Sequence, residues 1–89
     1  MADKIHLSVV SAGGVVLDKM VNYVHIPENV GSVGVLAGHA PMLCAVGDGI
    51  AECRFGENET IRIEVKEGIV HVAENEVVFL VSGARILET

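Results

Sequence analysis

The stretch IRIEVKEGIVHVAENEVVFLV, residues 61–81, decides the fold class. Its first apolar residues alternate with Arg62, Glu64 and Lys66, and a period of two places alternate side chains on one face of a strand. Gly68 and the run Glu74-Asn75-Glu76 interrupt the pattern with residues that favour turns. The stretch therefore predicts three consecutive short strands. We expect the following side chains to be buried on one face: Ile61, Ile63, Val65, Val70, Val72, Val77, Phe79 and Val81.

The rest of the chain follows the same pattern of short apolar segments and turns. Sixteen valines and seven isoleucines stand against three aromatic residues, and β-branched side chains suit the pleated surface of a strand. No segment sustains helical periodicity over a helix-like length. Turns that recur roughly every 8 to 12 residues predict an all-β fold, a flattened sandwich or barrel of about ten short strands. The expected strand segments include residues 5–9, 15–26 (stopped by residues 27–29), 42–46 and 50–55.

Length and composition limit the classes of protein that this chain can represent. Its 89 residues suffice for one domain, residues 1–89, and 51% apolar with 20% charged residues indicates a globular chain. The net charge of −6 argues against nucleic-acid binding and favours a basic partner surface. No apolar run reaches the roughly 18 residues of a membrane span, and residues 1–10 do not resemble a signal peptide. We expect a cytosolic domain with reduced thiols.

One hairpin can be predicted in detail from its turn. Asp48-Gly49 between apolar segments favours a two-residue turn with positive φ at both residues. That register pairs Val46 with Ala51 and Cys44 with Cys53 on a core-facing side, together with Met42 and Phe55. The two cysteines would then be close enough for a disulfide, although packed thiols are the preferred interpretation.

The stretch GSVGVLAGHAPML, residues 31–43, differs from the alternating segments. Glycines permit backbone conformations that a Cβ forbids, and Pro41 fixes φ where the next strand begins. We expect a rigid surface loop. Its apolar residues cannot all point inward, so the loop is a candidate docking site. These residues are Val33, Val35, Leu36, Ala37, Ala40, Met42 and Leu43.

Catalytic, nucleotide and metal sites find little support in the sequence. A P-loop needs a lysine and a hydroxyl after its glycines, whereas Gly38 is followed by His39 and Ala40. The spacing and helix of a dinucleotide-binding unit are also lacking. Cys44 is expected to be an inert, apolar thiol rather than a nucleophile activated by His39. None of the four histidines has a zinc-ligand spacing, and His6 and His71 are expected on the solvent side of their strands. We expect no cofactor and no metal.

The segment VGSVGVLAGHAPMLCAVGDGI resembles the signature of the epsilon subunit of F-type ATP synthase, which is called delta in mitochondria. The shared features are two glycines three positions apart, then Gly-His-Ala-Pro followed by apolar residues. The segments IHLSVVSAGGVVLDKMVNYVHIP and EGIVHVAENEVVFLVSGARI resemble the first and last strands of that family. The resemblance covers roughly residues 4–87. Ala37 stands where the family usually has proline, and Glu67-Gly68 where a Gly-Gly pair is common.

The resemblance implies a non-catalytic subunit of the rotor's central stalk. Such a subunit links the gamma subunit to the membrane-embedded c ring and couples ion translocation to ATP synthesis. It meets the catalytic subunits only indirectly, and it is peripheral to the cytoplasmic face of the cell membrane. Carried over by position, Ser32, Val33 and Gly34 match the segment that meets the c ring. The segment that lies along gamma is matched by His39, Ala40, Pro41, Met42 and Leu43, and we expect His39, Met42 and Leu43 at the surface.

The C-terminal end of the sequence bears on the regulation of the complex. Family members typically continue after the sandwich into two helices that regulate ATP hydrolysis and in some cases bind ATP, whereas the sequence in hand stops at residues 85–89, before those helices. We therefore expect neither an ATP-sensitive brake nor a nucleotide site in these 89 residues. One alternative is a stand-alone β-sandwich module that uses residues 31–43 for an unrelated partner. The other is a metal-handling protein that uses His39 and the cysteines.

Overall fold

The computed structural model describes residues 4–28 and 31–88, which form two five-stranded sheets packed face to face. Sheet A has the strand order β2-β1-β9-β8-β5, and sheet B has the order β10-β7-β6-β3-β4. The predicted all-β sandwich of about ten strands is confirmed. The strands are β1 (Ile5–Ser11), β2 (Gly14–Val21), β3 (Tyr23–Glu28), β4 (Gly31–Val35), β5 (Met42–Val46), β6 (Gly49–Phe55), β7 (Glu59–Val65), β8 (Gly68–Ala73), β9 (Glu76–Val81) and β10 (Ala84–Glu88).

The hydrophobic core lies between the inner faces of the two sheets. All eight side chains that the alternation of residues 61–81 predicted to be inside are buried. They do not share one face, however, because β7 belongs to sheet B whereas β8 and β9 belong to sheet A. The chain therefore changes sheets near Gly68, and the two sets of side chains meet across the core. Phe79 is the largest of the fully buried side chains.

The β8–β9 hairpin has a tight two-residue turn. Ala73 pairs with Glu76, and the two residues between them, Glu74 and Asn75, have φ angles of 52° and 61°. Positive φ at both central residues is the mark of a type I′ turn, whose twist matches that of the flanking strands. Strand β1 runs parallel to β9 on its other side, so the beginning of β1 lies next to this turn.

The predicted hairpin around Asp48-Gly49 is wrong. Strand β5 pairs with β8 in sheet A, whereas β6 pairs with β3 and β7 in sheet B. Neither Asp48 nor Gly49 has a positive φ among the described residues, so the chain makes a corner between sheets instead of a tight turn. The predicted facing nevertheless holds for the buried residues Val46, Ala51 and Cys53. The side chains that face the core are the same whichever strand lies beside the segment. The predicted inward residues are therefore confirmed although the predicted strand pairing is wrong.

A second sheet change divides the apolar run of residues 15–26 at Asn22. Strand β2 ends in sheet A at Val21, and β3 begins in sheet B at Tyr23. Asn22 secures the corner, because its backbone N–H donates to the Arg54 carbonyl at 2.7 Å and its Nδ2 donates to the Gly56 carbonyl at 3.2 Å. Strand β3 continues through Pro27, which pairs with Ser32, and ends at Glu28, two residues beyond the predicted end of the run at Ile26. Asn29 lies outside the described residues. The structure has no helix long and apolar enough to cross a membrane within residues 4–28 and 31–88.

A candidate docking surface along one side of the sandwich

Residues 31–43 line one side of the sandwich, where both sheets end. Gly31–Val35 forms β4, the edge strand of sheet B, and Met42 begins β5, the edge strand of sheet A. Residues 36–41 cross between the two, and we call them the crossover loop. The expectation of one continuous loop is therefore wrong for residues 31–35, because these pair with β3 from Val24↔Val35 to Glu28↔Gly31. Strand β5 begins directly after Pro41, as predicted.

The three residues matched to the c-ring segment lie together on β4. Ser32 is exposed and pairs with Pro27, and Gly34 is exposed and pairs with His25. Val33, which alternates with them, is partly buried against the core. Since β4 is an edge strand, only one of its two backbone edges is paired within sheet B. This side of the molecule therefore presents unpaired strand edge as well as side chains.

Three hydrogen bonds shape the crossover loop. The backbone N–H of His39 donates to the Leu36 carbonyl at 3.1 Å, which closes a turn. Its ring Nδ1 donates to the Ala40 carbonyl at 2.7 Å. The third bond is long-range: the backbone N–H of Gly38 donates to the side-chain Oδ1 of Asn75 at 2.7 Å. Gly38 has a φ of +85°, a conformation that glycine adopts at little cost.

The side chains matched to the gamma-facing segment divide between surface and core. Leu43 is 66% exposed, Ala40 and Pro41 are exposed, and His39 is partly buried. Met42 points inward and packs against the core, as the alternation of residues 42–46 predicted and contrary to the surface position expected from the family match. Alternation along β5 gives the reason, since Met42 and Leu43 are consecutive strand residues and must face opposite ways. Leu36, at the start of the crossover loop, is 63% exposed.

Leu43 continues into an apolar surface on the outer face of sheet A. Cross-strand pairs extend from Leu43 through His71 to Val78, and a second row extends from Ala45 through Ile69 and Leu80 to Val10. Leu80 is 47% exposed and Val78 is partly buried, and both alternate with the buried residues Val77, Phe79 and Val81 of β9. His71 is exposed, as predicted. We call the following residues the apolar face: Val10, Leu43, Ala45, Ile69, Val78 and Leu80.

The outer face of sheet B has a different character. It carries charged side chains in neighbouring strands, and some of them interact. The Arg85 guanidinium lies 3.2 Å from a Glu64 carboxylate oxygen, and the Arg54 guanidinium lies over the Tyr23 ring at 4.9 Å from its centroid. Ile50, 40% exposed, is an apolar residue on this face. The two outer faces of the sandwich therefore differ in polarity, and the apolar one adjoins the crossover loop.

A charged cluster borders the apolar face at the end where β1 begins. The ring Nε2 of His6 lies 2.6 Å from Asp18 Oδ1, and its Nδ1 lies 3.6 Å from Glu76 Oε2. The hydrogen bond to Asp18 and the neighbouring carboxylates raise the pKa of His6 above its ordinary value, against a smaller opposing effect of desolvation. His6 thus lies on the solvent side of β1, as expected, and it also pairs with Asp18 and Glu76, which the sequence did not predict.

The cysteines do not form a reactive or metal-binding arrangement. Cys44 and Cys53 lie on strands of different sheets and are not joined by a disulfide. Burial raises the pKa of the Cys53 thiol, which disfavours the nucleophilic thiolate. Within the part of the chain that the structure describes, no three histidine, cysteine, aspartate or glutamate side chains converge as metal ligands. Sequence reasoning missed Asn75 as a support of the loop, because the contact spans 37 residues.

An open hollow of about 490 Å³ lies beside the crossover loop. Leu36 forms part of its wall, together with Asn22, Tyr23, Arg54 and residues of the β6–β7 turn. No sequence motif pointed to this hollow, because its wall combines a sheet corner, a hairpin turn and the crossover loop.

Comparison with known proteins assigns the sandwich to a family. The model of the ATP synthase delta/epsilon chain β-sandwich domain matches residues 4–86. The ATP synthase epsilon chain of Acaryochloris marina is 38% identical over 76 residues, or 85% of this chain and 54% of the relative. That of Carboxydothermus hydrogenoformans is 37% identical over 84 residues, or 94% of this chain and 62% of the relative. The chain thus spans little more than half the length of these relatives.

A solved structure agrees with this assignment. A chain in the cryo-EM structure of the Euglena gracilis mitochondrial ATP synthase with its c-ring superimposes with a TM-score of 0.87 at 25% sequence identity, covering 93% of this chain and 53% of that one. The matched region, like the family model, is the two-sheet sandwich that carries the crossover loop. From residue 4 to residue 86, this chain belongs to the family of ATP synthase delta/epsilon chains and contains their β-sandwich domain.

Proposed function

We propose that this protein is a non-catalytic subunit of the ATP synthase central stalk, which links the gamma subunit to the c ring and so couples ion translocation to ATP synthesis. It would act at the cytoplasmic face of the membrane as a peripheral part of the complex. Family membership and the likeness to a chain of a c-ring-containing assembly support this role. The observation that carries the docking assignment is the apolar face beside the crossover loop.

The apolar face suits a permanent protein partner. Leu43, Ile69 and Leu80 are between 43% and 66% exposed and lie on adjacent strands of one flat surface. Contiguous exposed apolar side chains mark sites that another protein covers, and burial of such surface stabilises a complex by roughly 25 cal/mol per Å². We therefore propose that gamma covers the apolar face and reaches the adjoining residues His39, Ala40 and Pro41.

The edge strand β4 supports a separate contact with the c ring. Ser32 and Gly34 are exposed on β4, and they lie at the sheet B end of the crossover loop, whereas Leu43 lies at its sheet A end. One side of the sandwich would then meet both partners, with the loop between them. The net charge of −6 favours a basic surface on the c-ring loops. A stiff sandwich with a continuous core suits a body that transmits torque.

The proposal is tested by charged substitutions on the apolar face. Leu43→Asp and Leu80→Asp would place a carboxylate in the contact with gamma, and each should weaken binding roughly tenfold or more, because a charge buried without a partner is costly. Ile50→Asp, on the outer face of sheet B, is the matched control and should leave affinity unchanged. Affinity for purified gamma is measured by calorimetry, with circular dichroism to verify folding. Equal affinity of the original protein and the three variants for gamma would show that gamma does not bind the apolar face.

Recovery of partners from membranes tests the class of function. The tagged protein should retain gamma and the c ring on purification from solubilised membranes. A stable complex with an unrelated protein through residues 31–43, without gamma, would favour the stand-alone binding module. Met42 is omitted from these substitutions, since it packs against the core and its replacement by aspartate would destabilise the fold as well as the contact.

A further inference from the structure

We propose that Asn75 is a positioning residue for the partner-facing crossover loop. The inference rests on the proposed function, because it concerns the loop that we assign to the gamma contact. Asn75 belongs to the β8–β9 turn, far from the loop in sequence. Its side-chain Oδ1 accepts a hydrogen bond of 2.7 Å from the backbone N–H of Gly38, which is the long-range hydrogen bond of that loop.

The turn that carries Asn75 is itself held in place. Glu74 and Asn75 have the two positive φ angles of a type I′ turn, which sets the direction in which the Asn75 Cα–Cβ bond leaves the turn. The Asn75 carbonyl accepts a hydrogen bond of 2.9 Å from the backbone N–H of His6 on the neighbouring strand β1. The backbone of Asn75 is thus held by β1, while its side-chain Oδ1 binds the crossover loop.

Asparagine meets two requirements at this position. It tolerates a positive φ better than most residues. Glycine would tolerate it too, but it has no side chain with which to accept the hydrogen bond from the Gly38 N–H. The donor, Gly38, has a φ of +85°, so its N–H direction depends on a conformation that few residues adopt. The bond sits one residue before His39 and thereby restrains the start of the Gly-His-Ala-Pro segment.

The test separates the turn from the amide. Asn75→Gly keeps a residue that favours positive φ and removes the acceptor, whereas Asn75→Asp keeps an acceptor oxygen and a residue that tolerates the turn. Glu74→Gly is the matched control, since it changes the neighbouring turn residue and leaves Asn75 intact. Two quantities are measured on the whole chain: the hydrogen-exchange rate of the Gly38 amide by NMR, and the dissociation constant for purified gamma.

In Asn75→Gly we expect the Gly38 amide to exchange roughly two- to tenfold faster and gamma to bind more weakly by a similar factor, as loss of one hydrogen bond implies. Asn75→Asp and Glu74→Gly should both stay close to the original protein. In Asn75→Gly the midpoint of thermal unfolding should fall by no more than about 4–8 °C, and circular dichroism at the assay temperature should show all three variants folded. This measurement separates loss of loop position from loss of folding.

Each other outcome has a defined meaning. Unchanged Gly38 exchange in Asn75→Gly would overturn the positioning role, whatever happens to gamma binding. Faster exchange with unchanged affinity would overturn the link between loop position and docking. If the original protein does not bind gamma at all, the proposed function fails, and the exchange rates still decide whether Asn75 positions the loop.

Discussion

The ring of Tyr23 lies directly against the backbone of Gly34. A Cβ built at Gly34 would lie 2.8 Å from the Tyr23 hydroxyl oxygen and 2.9 Å from its Cε1. The two residues belong to the paired strands β3 and β4, and the Arg54 guanidinium lies 4.9 Å from the centroid of the same ring. A larger residue at this position of the edge strand would therefore have to displace the Tyr23 ring, which packs beside the strand proposed to meet the c ring.

Gly34→Ala should destabilise the protein by about 1–3 kcal/mol, because the added methyl group forces the Tyr23 ring from its position over the glycine. The sign is informative, since alanine in an unobstructed strand should be more stable than glycine by roughly 0.5–1 kcal/mol. Urea unfolding measures the effect. In a Tyr23→Ala background the same substitution should be neutral or stabilising. Equal costs in both backgrounds would show that the ring is not the obstacle.

Phe79→Ala should lower the free energy of unfolding by about 3–5 kcal/mol, because Phe79 is the largest fully buried side chain and its loss leaves a cavity in the core. The adjacent Leu80→Ala is the matched control. Leu80 points outward and is 47% exposed, so its truncation should change stability by no more than about 0.5 kcal/mol. Chemical denaturation measures both. Similar costs at the two positions would contradict the alternation of β9.

The His6 ion pair should make stability depend on pH. Since the pKa of His6 in the folded protein is raised above 6.5, its pairing with Asp18 stabilises fully below pH 6.5 and is lost as pH rises through the folded pKa. Asp18→Asn removes the first cause of the raised pKa and should flatten this dependence. NMR titration of the His6 ring, with urea unfolding at each pH, measures both effects. An unchanged titration in Asp18→Asn would refute the pairing.

The two thiols should differ in reactivity towards a disulfide reagent. Cys53 is fully buried and its pKa is raised by burial, whereas Cys44 is partly exposed on an edge strand. We expect Cys44 to react at least roughly tenfold faster in the folded protein. The single variants Cys44→Ser and Cys53→Ser assign the two rates, and both thiols should react alike in denaturant. Rapid reaction of Cys53 without denaturant would contradict its placement.

The sequence predicted the strands and their inward faces because these depend on local alternation. Ile61, Ile63 and Val65 face the core whichever strands lie beside β7, since a period of two sorts side chains without reference to a partner. The Gly-His-Ala-Pro segment together with the glycines before it likewise carried the most specific part of the family resemblance. The sequence also indicated that apolar residues of 31–43 exceed what the core can hold, and Leu36 and Leu43 are indeed exposed.

Only the tertiary structure decided which strands are neighbours and which surface they build. The Asp48-Gly49 segment has the composition of a hairpin turn, but β5 and β6 pair with strands of opposite sheets, so the predicted pairing of Cys44 with Cys53 was wrong. The apolar face from Leu43 to Val10 and the bond from Gly38 to Asn75 both depend on that arrangement. Alternation is a property of the local backbone and can be predicted from the sequence, whereas strand order depends on long-range contacts whose free energies local residues do not encode.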